Sequence, residues 1–343
     1  MLADWCQRGV RIIAITPQID LSGPVGHLIA SLLFGIAEIE LQHAKERQAA
    51  GIALAKQRGV YTGRRQGTTK AAPARARALR KQGLTVLEIA QALGVKVIDY
   101  DRMTLGGTRA YYVSFDNVAV GTLMARGLVN CIRAWHVRRP DVLVMRGAPT
   151  DNNATLFARG YDRVLRPYFT SGRYTAAGQP PGSWNPTTAQ TTFEEQYTAN
   201  NKITAVLTPN DDTASAVISY LKTLNTPPRA FPTTGQDATP AGLANILSGY
   251  QCGTVYKPIY LEAQAAGALI LYLRAGLVPP PSLVNGTTFD ATSQVRVPSV
   301  LLRPVWVTAA SMAATVIRDR FVTAAQLCTG PLRPACRRAR IAS

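Results

Sequence analysis

From residue 96 onward the chain alternates short β-branched apolar runs with longer amphipathic stretches. "KVIDYD" and "YYVSFDN" are followed by "GTLMARGLVNCI", "DVLVMRG" by "NATLFARGYDRVLRPYF", "ITAVLTPND" by "TASAVISYLKTL", and "CGTVYK" by "IYLEAQAAGALILYLRAG". Strands of this length alternating with helices of 10 to 15 residues predict βαβ units and a parallel sheet flanked by helices. The first 95 residues read differently. "VRIIAI" (Val10 to Ile15) predicts a buried strand, and Ser22, Gly23 and Pro24 supply start signals for a helix. Leu28, Leu32, Ile36, Ile39 and Ile52 then recur at near-helical spacing, with Glu38, Glu40, Lys45, Glu46 and Arg47 making the middle polar. That stretch is either one amphipathic helix on a core or, given its length, a dimerising helix over 24–58. "ARARALRKQG" and "TVLEIAQALG" follow as two short helical patterns around Gly83 and Leu84, the first two-thirds of a helix-turn-helix, with Leu87, Ile89 and Leu93 as core and Ala90 at the close crossing.

The polar residues that interrupt the second part cluster where strands end: Asp101 and Arg102; Asp151, Asn152 and Asn153; Asn210 and Asp211; Asp237; Lys257. In a parallel sheet, ligands bind beyond the carboxyl ends of the strands. Any one of these residues taken alone reads as a helix cap or turn residue, because Asp and Asn favour such positions. Taken together, carboxylates, amides and cationic groups give the mixed donors and acceptors that polyol hydroxyls need, and Trp184 offers a ring for an apolar sugar face.

The 343 residues are 47% hydrophobic, enough for real cores, so a disordered chain is excluded. A formal charge of +18 favours a polyanionic partner. Nine basic residues and no acidic one lie from Lys56 to Lys81, and Lys56, Arg58, Arg64, Arg65 and Lys70 are the expected phosphate contacts of a flexible arm. Cys6, Cys131, Cys252, Cys328 and Cys336 are scattered, so the spacing writes neither a metal site nor a disulfide framework. His27, His43 and His136 stand away from the strand ends, leaving no evident acid–base pair; no catalysis and no cofactor are expected. With no visible signal peptide and no long apolar run, the chain as written reads as cytoplasmic. The arginine-rich "PLRPACRRARIAS" reads as a disordered tail over 331–343.

Two resemblances organise these readings. "GVRIIAITPQIDLSGPVGHLIASLLFGIAEIELQHAKERQAAGIALAKQRGVYTGRRQGTTK" followed by "LTVLEIAQALGV" resembles serine recombinases of the resolvase/invertase family. The resemblance implies the end of a catalytic domain with its long dimer helix over 1–60, then a basic DNA-binding arm and partial helix-turn-helix over 61–95. The family's nucleophilic serine lies upstream of the matched segment, so no recombinase chemistry is expected. The recognition helix is replaced by "KVIDYDRMTLGG", so sequence-specific readout of DNA is not expected either.

"VIDYDR", "YYVSFDNVAVG", "GAPTDNNATLFARG", "YTANNKITAVLTPND", "TTGQDATPAGLANILSGYQCGTVYKPI" and "LLRPVWV" resemble a bacterial sugar-binding protein of an ABC importer, of the D-xylose-binding type. The resemblance implies an α/β, periplasmic-binding-protein-like (Venus flytrap) fold over 96–330 that closes on a monosaccharide and presents it to a membrane permease. It also implies a periplasmic or cell-surface location. Asp101, Arg102, Asp151, Asn153, Asn210, Asp237 and Lys257 would contact the sugar, with Trp184 stacking on it. The second lobe would run over about 105–256 and return near 285–310. Of the first lobe, the strand at 96–100 and the helix at 259–276 would remain, with apolar faces uncovered and ligand affinity reduced. "QALGVKVIDYDR" then divides near Val95, its first half ending the recombinase match and its second opening the sugar-binding one, as in a fusion of two interrupted genes.

Overall fold

The computed structural model describes residues 73–341, together with Ile13–Ala14, Ile19–Asp20, Glu46 and residues 57–58. The chain divides into two compact units, Met1–Arg75 and Ala76–Ser343. In the first, β1 (Ile13–Ala14) pairs antiparallel with β2 (Ile19–Asp20), which places a strand inside the run expected from Val10 to Ile15. Apart from Glu46 and residues 57–58, the expected long helix and dimer surface over 24–58 lie outside the described residues, as do Lys56, Arg64, Arg65 and Lys70; Arg58 is exposed.

The two helices of the helix-turn-helix pattern form, as α1 (Pro73–Lys81) and α2 (Val86–Ala92). Thr85 starts α2 with a capping box: its hydroxyl accepts from the Glu88 amide at 3.3 Å and its own amide donates to Glu88 Oε2 at 2.7 Å. Leu87 is buried, while Ile89, Ala90 and Leu93 are half-buried. No third helix follows, and the chain extends directly into β3 (Ile98–Tyr100).

The second unit holds two principal sheets. In the first, β3 pairs parallel with β4 (Tyr111–Phe115), β4 parallel with β10 (Val295–Leu302), and β10 antiparallel with β9 (Gly286–Asp290). Helix α8 (Ile259–Ala275) covers this sheet by packing Ala265 and Leu269 on Val113 and Val300. The second sheet has β5 (Asp141–Val144) at its centre, parallel to β6 (Thr175–Gly178) on one side and to β7 (Ala205–Leu207) on the other. Bridges at Val206–Thr233 and Gln236–Val255 continue it towards β8 (Thr254–Tyr256) and its antiparallel partner β11 (Val305–Val307). Around it lie α3 (Asn117–Ala134), α4 (Asn152–Thr170), α5 (Pro186–Ala199), α6 (Asp211–Thr223) and α7 (Pro240–Leu247). Helices α3 and α4 cross where Gly121 and Gly160 face each other's backbone: a methyl at Gly121 would overlap the Phe157 carbonyl, and one at Gly160 the Val118 carbonyl.

Two sequence expectations are corrected. The first lobe is larger than one strand and one helix, because β4, β9 and β10 join β3 instead of the second sheet. Strand β4 is buried along both faces from Tyr112 to Phe115, and β10, which would have returned to the second lobe, hydrogen-bonds to it through Ser299 to Leu302. The expected disordered tail folds. After α9 (Ala324–Leu327), helix α10 (Arg333–Arg338) places Ala335 and Cys336, and the residues after it Ala339 and Ile341, in a core with Leu243, Tyr256, Val307 and Met312, while the arginines stay outside. Uncovered apolar side chains on α8 agree with the expectation for that helix: Ile259, Tyr260, Ile270 and Leu271 are exposed.

The cysteines correct a third expectation. Cys131 at the end of α3 is bonded to Cys252 ahead of β8, and Cys328 to Cys336. Distance along the chain hid the first pair, since 121 residues separate its partners.

Candidate functional site

In the second sheet the chain leaves β5 towards β6 on one side and reaches β7 on the other. The loops after β5 and β7 therefore part, opening a crevice at the carboxyl ends of these strands. Asp151 and Asn153 follow β5, Asn210 follows β7, Asp237 stands beside β8 and Lys257 follows it, while Asp101 and Arg102 end β3 of the other sheet. These seven side chains and Trp184 line one cavity of about 360 Å³, so the eight residues expected to contact the sugar come together, whereas Asn152 and Asp211 of the same strand-end cluster do not line it. Phe157, Asp212 and Gln236 complete its wall.

Local structure holds each group in place. Asp151 caps α4 by accepting from the Asn153 amide at 2.9 Å. Its other oxygen accepts from Trp184 Nε1 at 3.2 Å and lies 3.2 Å from Arg102 Nε. Trp184 is fixed in turn by the start of α5, where Asn185 caps and Pro186 occupies the first turn, and by an edge-on contact with Phe157. Asn210 caps α6 by accepting from Thr213 through its amide oxygen, and its NH2 group makes no hydrogen bond among the described residues.

Asp101 has a positive φ of 60°, with the Arg102 amide donating to the Tyr100 carbonyl at 2.7 Å across it: a γ-turn that turns the Asp101 side chain out of the strand. The Asp101 carbonyl accepts from Tyr112 Oη, Ser114 Oγ and Asn153 Nδ2, at 2.9, 2.9 and 3.0 Å. Asn153 spends its remaining amide oxygen on Tyr112 and Asn117. Its expected sugar contact therefore has a competing structural use, since both ends of the amide are engaged within the protein.

Asp237 also sits at positive φ (90°) and pairs with Lys257 at 2.9 Å. Burial opposes the charge on Lys257, but Asp237, Asp101 and Glu262 outweigh it and raise the ammonium pKa, so the lysine is a fixed donor at neutral pH. Gln236, 3% exposed, has an Oε1 atom with no hydrogen-bond partner, an acceptor left for an incoming donor.

Sequence reasoning passed over Gln236, Glu262 and the backing set Tyr112, Ser114 and Asn117. Only Glu262 carried a local signal, as a lone acid in the apolar run "IYLEAQAAGALILYL". It is 2% exposed, and burial followed by repulsion from Asp101 pushes its pKa up to about 7. Proton linkage then has a definite sign. The unfolded chain loses this proton near 4.5, the ordinary value for glutamate, and the folded chain near 7, so the group's contribution to stability falls as pH rises between them and is level above. Glu262→Gln is expected to flatten the fall in unfolding free energy between pH 5 and pH 8, with the variant gaining relative to the parent at pH 8 by roughly 1–3 kcal/mol in denaturant titrations. An unchanged slope would show that the carboxyl ionises normally in the folded chain.

Among the described residues, no cluster of His, Cys, Asp or Glu is arranged to hold a metal ion, and no helix is long and apolar enough to cross a membrane. The chain passes between the two sheets three times: at Asp116 from β4 to α3, at Lys257–Pro258 from β8 to α8, and at Arg303–Pro304 from β10 to β11. Two sheets joined by three crossings, with a polar cavity at their strand ends, define a hinged two-lobed ligand-binding protein.

The chain belongs to the periplasmic binding protein family, whose domain model matches residues 78–276; a model of the resolvase N-terminal domain matches residues 1–61. It is 39% identical over 240 residues to the D-xylose-binding periplasmic protein of Escherichia coli, covering 69% of each chain. It is also 35% identical over 92 residues to the Tn21 transposon resolvase of Escherichia coli, covering 26% of this chain and half of that one. Among solved structures, a carbohydrate transporter solute-binding protein from Chloroflexus aurantiacus in complex with D-glucose superposes with a TM-score of 0.64 at 26% identity, covering 73% of this chain and 84% of that one. The two matched segments confirm the chimeric reading of the sequence, and the binding-protein part is non-catalytic.

Proposed function

We propose that residues 96–330 bind a monosaccharide of the D-xylose type, as the substrate-binding component of an ABC sugar importer. The observation that carries this reading is the single cavity in which Asp101, Arg102, Asp151, Trp184, Asn210, Asp237 and Lys257 converge from both sheets, with an unpartnered Gln236 oxygen among them. Carboxylates accept from neighbouring hydroxyls, Arg102, Lys257 and the Asn210 NH2 donate, and the Trp184 ring covers carbon-bound hydrogens. Asn153 serves by holding the Asp101 carbonyl. The family's placement and the two disulfides support work in an oxidising, periplasmic setting opposite a membrane permease. D-xylose at a hundredfold excess over its Kd is expected to raise the Tm of the purified chain by about 5 °C or more, and not that of Asp237→Ala. No shift in the parent, or an equal shift in both, would overturn the assignment.

The resolvase match supports a second reading for the N-terminal segment. Lys56, Arg58, Arg64, Arg65 and Lys70 would hold duplex DNA through its phosphates without reading bases, in a homodimer formed through 24–58. Steeply salt-dependent binding to mixed-sequence duplex would bear this out, and salt-independent or absent binding would remove it.

A further inference from the structure

A second cavity, of about 330 Å³, adjoins the first and shares Asp101, Asp237 and Lys257 with it; Tyr100, Phe115, Ile259, Glu262 and Phe321 form the rest of its wall. The Asp237–Lys257 pair thus stands between two chambers. The first is predominantly polar in its residues. The second is apolar apart from the shared residues, the Tyr100 hydroxyl and one buried carboxyl.

Glu262 is placed there by the first turn of α8, directly after the crossing at Lys257–Pro258. Its side chain is enclosed among wall residues, and its Oε1 atom has no hydrogen-bond partner. A buried acceptor left without a donor is destabilising, more so when charged, so the protein bears a penalty that a ligand donor would relieve. The charges around it point the same way. Three carboxylates, on Asp101, Asp237 and Glu262, surround one ammonium on Lys257, and that ammonium is already engaged by Asp237 at 2.9 Å. Tyr100 from β3 and Tyr112 from β4 also feel the Glu262 carboxyl, and both stay protonated because their pKa values are raised, first by burial.

We propose that Glu262 forms a second subsite that receives a hydrogen-bond donor on the exocyclic substituent of a bound sugar, so that a hexose carrying a hydroxyl or, more strongly, an ammonium at C6 gains a contact that a pentose in the same cavity does not make. The inference rests on the sugar-binding reading of the first cavity. The two cavities meet at Asp101, Asp237 and Lys257, so a substituent that extends past this pair from a ring held in the first cavity enters the chamber that Glu262 lines. The raised pKa of Glu262, about 7, makes the preference for a cationic substituent dependent on pH, because only the ionised carboxylate adds charge attraction to the hydrogen bond.

Calorimetric titration of the full chain with D-xylose, D-glucose and 6-amino-6-deoxy-D-glucose, at pH 6 and pH 8, tests this. At pH 8 the amino sugar is expected to bind at least tenfold more tightly than glucose, with the ratio falling several-fold at pH 6. In Glu262→Gln the ratio should fall below threefold at both pH values while xylose affinity stays within about twofold of the parent. The parent's own pH dependence supplies the test if that variant fails to fold. If xylose and glucose bind but the amino-to-neutral ratio is near one at both pH values, or unchanged in Glu262→Gln, the subsite is refuted and the sugar-binding reading stands. If none of the three sugars binds, both fall together.

Discussion

Replacing Cys131 and Cys252 together by alanine is expected to lower the unfolding free energy by about 4 kcal/mol, or roughly 10 °C in Tm. The disulfide joins the last turn of α3 to the residue two before β8 and closes a loop across 121 positions, so its loss frees a long stretch of the unfolded chain. The native junction is tight and gains little by relaxing. Trp306 of β11 lies against Gly127 of α3 and Gly253, where a methyl group on either glycine would overlap the indole. The Cys328–Cys336 pair closes a separation of only 8, and its removal is expected to cost about 2 kcal/mol. Denaturant titrations of the two double variants check the order. Equal losses, or no loss for the long loop, would show that the unfolded chain is already restrained between α3 and β8.

Arg109→Met is expected to cost about 3–5 kcal/mol, because it leaves two carboxylates in the first sheet without their cation. The Arg109 side chain has no exposed surface and sits 3.0 Å from Asp99 and 2.8 Å from Asp290. These residues belong to β3 and to the end of β9, so the triad holds the sheet's two edges through the loop between β3 and β4. Burial raises the pKa of Asp99, and Asp290 is held well below the usual range because hydrogen bonds from Arg109, Ser293 and Thr292 outweigh its own burial. Asp290 therefore contributes stability in the parent that is present above the ordinary carboxylate pKa and lost only in strong acid. Without Arg109 its pKa should rise, so the variant should be more impaired at pH 8 than at pH 4. A loss independent of pH would assign the effect to packing alone.

Much of this architecture was legible because it is local. Period-two runs and capping residues place β4, β5, α3, α4 and α6 close to where they form, and the Asp and Asn residues that cap α4 and α6 are also those facing the cavity. Cap and ligand contact were posed as alternatives, and at Asp151 and Asn210 one residue does the first while presenting atoms for the second. What escaped depends on neighbours distant in sequence. Nothing in "YYVSFDN" tells which sheet β4 joins, since its partner β10 lies more than 180 residues on. Arg109 resembles any loop arginine until Asp290 is brought to it. The arginines of "RPACRRAR" hid the small apolar face of α10, whose burial depends on Met312, Val316 and Leu327. Glu262 and Gln236 show their meaning only when burial leaves an oxygen without a donor.

Trp184 provides the most direct view of the cavity, because its indole forms part of the wall and is tied to Asp151. Emission titrated with D-xylose should change saturably in the parent and lose that change in Trp184→Phe, although Trp5, Trp135 and Trp306 remain. A parent signal indifferent to sugar, or a response that survives the substitution, would contradict a sugar site at these strand ends.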